Sequence, residues 1–114
     1  MNGGEAALCG FEALDIRVGT IKRAEPLPAA RVAAYKLEID FGEQLGLRRS
    51  SAQVTTHYAA EALIGMQVLG VVNLPPKRIA GFSSEVLVLG VPDEGGHVVL
   101  VRPERPIPDG GRLF

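Results

Sequence analysis

The chain has 114 residues, of which 46% are hydrophobic, with 14 Gly and 8 Pro. This length suits one domain, because two independent cores would each be too small to be stable, and the apolar content excludes a disordered chain. Twelve Lys and Arg against 13 Asp and Glu give a net charge of −1, which excludes a global basic field for nucleic acid and leaves room only for a local patch.

The N-terminal segment carries neither a basic start nor a long apolar run, so we expect no signal peptide, no membrane anchor and no membrane insertion. Cys9 is the one cysteine, which excludes an internal disulfide and a thiolate zinc site and fits a reducing cytoplasm. We predict a single domain over residues 6–114, with residues 1–5 frayed because they offer little to bury.

The first half of the chain predicts three strands. Residues 15–22 begin with apolar residues in alternation and lose that pattern near Gly19, where a bulge or sharp coil is expected, and the segment from Pro26 to Pro28 ends the strand. Residues 35–41 alternate most clearly, so one face meets a core and the other meets water. Its apolar positions are Tyr35, Leu37, Ile39 and Phe41, and its polar positions are Lys36, Glu38 and Asp40. Residues 47–54 form a third, amphipathic strand with a polar exposed face.

The second half predicts a short helix and three more strands. The helix lies between residues 55 and 65, with Thr55 or Thr56 as a cap and Gly65 as a stop. Residues 67–74, 85–91 and 97–101 are β-rich apolar runs, and residues 93–96 form the turn between the last two. Three prolines after residue 102 predict an extended tail without further ladder.

Six short strands with one helix between the third and fourth describe a small closed barrel. The predicted fold is therefore all-β, an oligonucleotide/oligosaccharide-binding (OB) barrel with a short helix between strands three and four and with terminal extensions.

The residues needed for catalysis are scarce. His57 and His97 lack a partner at metal-ligand spacing, Cys9 has no neighbouring cation to lower its pKa, and no phosphate-binding Gly-rich loop with Lys is present. We predict no enzyme activity, no metal and no cofactor.

The segment 73–85 is the most informative for binding. Pro75 and Pro76 stiffen it, the cations Lys77 and Arg78 suit phosphate or carboxylate, and Phe82 can stack or fill an apolar groove. It is interpreted as a presented binding loop between two strands.

The alternative is an ordinary crossover that closes the barrel, in which Asn73 and Glu85 cap exposed backbone groups at strand ends. Arg48 and Arg49 on the third strand extend the binding surface or, in the alternative, belong to a solvated strand face.

Several segments in order resemble a known family. They are residues 15–19, 35–37, 39–42, 50–55 and 73–74, followed by Ser84 and Glu85. Over about residues 11–108 the chain resembles the CsaA-type secretion chaperones, which are built on the EMAP-type tRNA-binding domain with an OB fold.

The resemblance implies a homodimer formed through the terminal extensions and a concave surface that binds peptides of unfolded proteins or preproteins. It also leaves tRNA and the protein-export machinery open as partners. The ligand-binding residues implied are Arg48, Arg49, Ser51, Gln53, Asn73, Lys77, Arg78, Ser84 and Glu85, and the character of the segment 73–85 adds Phe82 to them.

One departure separates the two ligand classes. The tRNA-binding relatives follow Ser-Glu with Gly-Met, whereas Val86 and Leu87 follow here, as in the CsaA type. With the near-neutral charge, this favours peptide over tRNA. Terminal apolar residues without a barrel strand to join are the expected dimer contacts: Leu8, Phe11, Ile107, Leu113 and Phe114.

Overall fold

A computed structural model describes residues 10–114, of which residues 10–13 are helical. The predictions for residues 1–5, Leu8 and Cys9 concern positions outside the described residues. The elements that follow are β1 (Ile16–Pro26), β2 (Tyr35–Asp40), β3 (Leu47–Ala52), α1 (Ala60–Leu63), β4 (Gln67–Val71), β5 (Lys77–Ile79), β6 (Phe82–Ser84), β7 (Leu87–Val88), β8 (Gly90–Pro92) and β9 (Val98–Leu100).

The main sheet has five antiparallel strands in the order β3-β2-β1-β4-β7. Its two edges approach each other where the chain leaves β6: the Glu85 amide donates to the Arg49 carbonyl at 2.8 Å. One residue along, the buried Ser50 hydroxyl donates to the Val86 carbonyl at 2.7 Å. The sheet is thus a nearly closed barrel with one short helix between β3 and β4, which confirms the predicted all-β OB fold.

The barrel interior is filled by apolar side chains from the inward-facing positions of the strands and from α1. The largest side chains there are Phe41, Ile21, Leu37, Ile39, Leu63 and Val68, each less than 2% exposed. A second, smaller cluster of Ile16, Val18, Leu69 and Val71 packs against Leu89 and Val101. Because β1 and β4 contribute to both clusters, both of their faces are covered.

Two local predictions about β1 and the helix are wrong in detail. The register shift of β1 lies between Ile21 and Arg23, not at Gly19. The residue that caps α1 is Ala59, which makes no side-chain cap bond, so neither threonine has that role. Gly65 does follow the helix, with φ of 88°, a conformation that glycine adopts without strain.

Three connections also differ from the predicted elements. The predicted strand 85–91 is split into β7 and β8, and the predicted loop 73–85 contains the β5–β6 hairpin. The C-terminal tail is not free of ladder, because Val18 and the tail exchange backbone hydrogen bonds at Gly110 and Gly111. The turn at residues 93–96 between β8 and β9 lies where it was predicted.

Within residues 10–114, no helix has the length and apolar character needed to cross a membrane.

Candidate ligand-binding groove

The outer face of β1, β2 and β3 carries charged side chains in register. Leu37 and Ile39 point into the core, so their neighbours Lys36 and Glu38 point outward. Glu38 lies opposite Arg23 on β1 and opposite Arg49 on β3. Cross-strand partners share a face, and the three strands therefore present one charged surface.

The β5–β6 hairpin lies beside this surface and is tied to β3. Ala80 and Gly81 form its turn with φ of 52° and 79°, the positive values that a tight two-residue hairpin turn requires. The Ser84 hydroxyl accepts a hydrogen bond from the Ser51 amide at 3.1 Å. The Phe82 ring centre lies 5.5 Å from the Arg49 guanidinium carbon, a cation–π distance.

Strands and hairpin together enclose a shallow groove of about 190 Å³. We call it the β1–β3 groove, and its lining residues are Arg23, Glu25, Lys36, Leu37, Glu38, Arg49 and Phe82. Phe82 supplies the apolar part of the wall, because the Leu37 side chain is buried in the core, and three cations and two carboxylates supply the rest.

The charges in the groove are paired with one another. Arg23 contacts Glu25 at 2.6 Å and Glu38 at 3.7 Å, and Lys36 contacts Glu25 at 3.4 Å. Hydrogen bonding from Arg23, reinforced by Lys36, lowers the pKa of Glu25 below its ordinary value. Glu25 is therefore ionised at neutral pH.

The structure brings five of the sequence-predicted site residues to the groove or its rim: Arg49, Ser51, Phe82, Ser84 and Glu85. Glu85 fixes the rim through its carboxylate, which accepts the Arg49 amide at 3.0 Å and lies 3.7 Å from the Arg49 guanidinium. Lys77 lies opposite Ser84 and Arg78 opposite Ser83, so Lys77 shares the hairpin face of Ser84 and Arg78 takes the other face.

Three predicted site residues lie apart from this arrangement. Asn73 braces the N-terminal segment, accepting from the Asp15 amide at 2.9 Å and donating to the Ala13 carbonyl at 2.8 Å. Arg48 lies on the core-facing side of β3 and donates to the Leu45 carbonyl at 3.0 Å. Gln53 is exposed just beyond β3. For Asn73 and Glu85, the capping role is the one that the contacts describe.

Sequence reasoning missed the four charged lining residues Arg23, Glu25, Lys36 and Glu38. Lys36 and Glu38 were identifiable as the outward positions of the clearest strand. Arg23 and Glu25 were not, because the apolar alternation of β1 stops before them and only the register with β2 reveals that the strand continues.

The two histidines lie outside the groove. His57 Nε2 is 2.6 Å from Asp93 Oδ2. The rings of His57 and His97 pack edge to face, with their centroids 5.9 Å apart. Among residues 10–114, no group of three or more His, Cys, Asp or Glu side chains is placed to hold a metal ion.

Comparison with known proteins gives one family and two kinds of relative. The family model described as "Putative tRNA binding domain" matches residues 16–112. The crystal structure of the chaperone CsaA from Bacillus anthracis is 51% identical, with all of this chain and 99% of that chain covered and a TM-score of 0.88. The CsaA chaperone protein from Picrophilus torridus is 43% identical, with coverage of 94% and 97% and a TM-score of 0.88.

The second kind of relative is a much longer protein. A methionine–tRNA ligase of Porphyromonas gingivalis is 36% identical over 103 residues, which are 90% of this chain and 15% of the ligase. The chain thus spans about 15% of the length of the curated relatives that it matches.

Proposed function

The chain belongs to the tRNA-binding-domain family, in its CsaA type, and from that premise we propose that it is a chaperone whose β1–β3 groove binds peptide segments of unfolded or export-destined proteins. Support comes first from the solved relatives: two CsaA chaperones match nearly the whole chain at 51% and 43% identity. The methionine–tRNA ligases match over most of this chain but contain it as a small part of their length.

The observation that carries the proposal is the mixed character of the groove. A peptide offers apolar side chains, charges of both signs and backbone polar groups, and the groove offers the Phe82 ring beside cations and carboxylates. A polyanion would find its attraction to Arg23 and Lys36 offset by the carboxylates already paired with them.

The number of apolar contacts limits the expected affinity for a peptide. Burying one apolar side chain contributes roughly 1.5–3 kcal/mol, and association costs several kcal/mol in lost freedom. Two or three apolar anchors contribute at most about 9 kcal/mol before that cost, so such a peptide binds no more tightly than about micromolar strength. Such a ligand is released readily, as a chaperone's client must be.

The direct test is suppression of aggregation of reduced, unfolded lactalbumin, together with fluorescence titration of a peptide from it. Phe82→Ala is expected to weaken peptide binding, because it removes the aromatic wall beside Arg49. Ile64→Ala is the control, since Ile64 is 53% exposed and lies outside the groove lining. No binding by the wild type, or equal loss in both variants, contradicts the proposal.

A second candidate function, tRNA binding, is favoured by the family match and by the cations of the β5–β6 hairpin. Under this alternative, Lys77→Ala with Arg78→Ala flattens the slope of log affinity against log salt by somewhat more than about one unit. Competition between total tRNA and unfolded lactalbumin, measured across a salt series, compares the two functions. The two ligands displace each other only if both bind in the β1–β3 groove.

Further assignments rest on the resemblance to CsaA chaperones. We extend the proposal to a cytoplasmic homodimer, with the protein-export machinery as a partner. We propose no catalytic step: the matched segment is 15% of the ligase from Porphyromonas gingivalis, and ligase activity is not carried over to this chain.

A further inference from the structure

The charges of the β1–β3 groove form two rows across the strands. In one row Glu38 on β2 lies between Arg23 on β1 and Arg49 on β3. In the next row Lys36 on β2 lies opposite Glu25 on β1. Each row thus contains one carboxylate, Glu38 at the centre of the first row and Glu25 at one side of the second. The β2 residue is negative in the first row and positive in the second.

Glu25 is the centre of the ion pairs. Its Oε1 atom accepts from Arg23 Nε at 3.0 Å and from Arg23 Nη2 at 2.6 Å, which engages the guanidinium edge. Its Oε2 atom lies 3.4 Å from Lys36 Nζ. Both carboxylate oxygens are therefore directed at groove cations, one at each.

Glu38 completes the arrangement from the middle strand. Its Oε2 atom lies 3.7 Å from Arg23 Nη1, on the other side of the same guanidinium. A phosphate that approached Arg23 would have to displace one carboxylate and lie beside the other. At such separations like charges repel, and the repulsion grows as the groove is desolvated.

These pairs are too exposed to serve mainly as a stabilising device. The side chains of Arg23, Glu25, Lys36 and Glu38 are between 38% and 63% exposed. Ion pairs in such positions contribute little to folding. The main effect of these ion pairs is therefore on the binding of ligands that enter the groove.

We infer that Glu25 and Glu38 are the specificity residues of the groove, excluding phosphate polyanions by occupying Arg23 and Lys36. The inference rests on the proposed function, since it names the ligand class that the same groove rejects. Peptides are accepted because their own charges of both signs can exchange with either member of a pair, whereas a nucleic acid carries negative charge alone.

The test is the double variant E25Q/E38Q, which keeps the side-chain shapes and releases the two cations. With poly(U) as the probe, its affinity at 50 mM salt is expected to rise at least about tenfold over the wild type. The slope of log affinity against log salt becomes steeper by about 1.4, since each further phosphate that the groove neutralises adds about 0.7.

The matched control is E94Q/E104Q, which makes the same change in net charge elsewhere on the surface. Glu104 is itself paired with Arg105 at 2.6 Å, so this control also releases a cation. Adding Arg23→Gln and Lys36→Gln to E25Q/E38Q is expected to return poly(U) binding to the wild-type level. That reversal assigns the higher affinity to those two cations rather than to a loosened fold.

Each result bears on one proposal or the other. An equal rise in affinity for E25Q/E38Q and E94Q/E104Q, or a rise that survives loss of Arg23 and Lys36, overturns the inference. Tight poly(U) binding by the wild type, displaced by the lactalbumin peptide, overturns it as well. Failure of the wild type to bind the peptide sinks the chaperone function instead, while the poly(U) comparison still decides the role of the carboxylates.

Discussion

Gly19 on β1 is buried against the side chains of Ile39 and Phe41. A Cβ at this position would stand 2.6 Å from Ile39 Cγ2 and 2.8 Å from two carbons of the Phe41 ring. Both neighbours are fully buried and cannot move aside. The glycine therefore makes room for Phe41, whereas its sequence context had indicated a bulge.

Gly19→Ala is expected to lower the free energy of unfolding by about 1–3 kcal/mol, since one added carbon overpacks a filled core. Urea denaturation measures the change. In a double-mutant cycle with Phe41→Leu, the loss is smaller than the sum of the single losses, because the shorter side chain leaves space. Gly10→Ala is the control, since its Cβ would meet nothing within 4 Å; equal losses in both variants would refute this explanation.

Asp93 organises the turn between β8 and β9. Its Oδ1 atom accepts the amides of Gly95 and His97, both at 2.9 Å, and its Oδ2 atom contacts His57. The hydrogen bond from His97, followed by that from His57, lowers the pKa of Asp93 below 3.8. A lowered pKa means that the carboxylate stabilises the fold above its unfolded-state pKa and loses this effect as the pH falls through the folded-state value.

Asp93→Asn keeps the Oδ1 acceptor and removes the charge. We expect its melting temperature to lie below that of the wild type at pH 7 and the difference to close as the pH falls below 3.8, the ordinary Asp value. Thermal melts at a series of pH values measure this. Glu94→Gln makes the same charge change at the neighbouring residue, and a pH-independent difference for Asp93→Asn would contradict the role assigned to its charge.

At the scale of elements, the β5–β6 hairpin contributes Phe82 to the wall of the groove. Ala80 adopts φ of 52° in its turn, a left-handed conformation that costs a residue with a Cβ about 1–2 kcal/mol. Ala80→Asn creates the Asn-Gly pair that such turns favour, so the free energy of unfolding should rise by up to about 1 kcal/mol. Ala80→Val is expected to lower the free energy of unfolding, because a β-branched residue disfavours positive φ. If denaturant unfolding shows the Val variant to be more stable than the Asn variant, the turn assignment is wrong.

The sequence reveals this hairpin poorly for physical reasons. Its strands have three residues each, too few for alternation to be recognised, and its turn is Ala-Gly rather than Asn-Gly or Asp-Gly. The preceding prolines indicate a loop and say nothing about the pairing beyond them. The candidate binding residues Phe82 and Ser84 could thus be identified from their side-chain chemistry, but their placement over β3 could not be predicted.

Longer elements were predictable because alternation alone decides their faces. β2 begins at Tyr35, as its alternation predicts, and β3 begins at Leu47. The continuation of β1 to Pro26 depends on pairing with β2 across the register shift, which is tertiary information. The charged lining of the groove was missed for the same reason.

At the scale of the whole molecule, the C-terminal tail is fastened to the barrel. The Gln67 side chain donates to the Ile107 carbonyl at 2.7 Å and accepts the Ile107 amide at 3.1 Å. The Thr20 hydroxyl donates to Asp109 at 2.6 Å. These contacts hold the apolar end of the tail beside β1 and β4.

This placement gathers exposed apolar side chains into one patch. Phe11, Leu14, Leu113 and Phe114 line a common surface cavity of about 480 Å³, and Ile107 lines the next one together with Leu113 and Phe114. Phe114 is fully exposed and the others are between 37% and 40% exposed. Contiguous apolar surface of this kind is typical of an interface with a second subunit.

We therefore expect a homodimer at micromolar concentration that Leu113→Asp dissociates, because a charge would be buried in the apolar patch without a partner. Sedimentation equilibrium measures the association constant. The Leu113 contact with β1 is a backbone hydrogen bond to Ile16, so the variant should keep its fold and show an unchanged far-ultraviolet spectrum. Val32→Asp, on an exposed loop residue outside both cavities, should leave the dimer intact. A wild-type monomer at micromolar concentration, or equal dissociation by both variants, would rule out this patch as the interface.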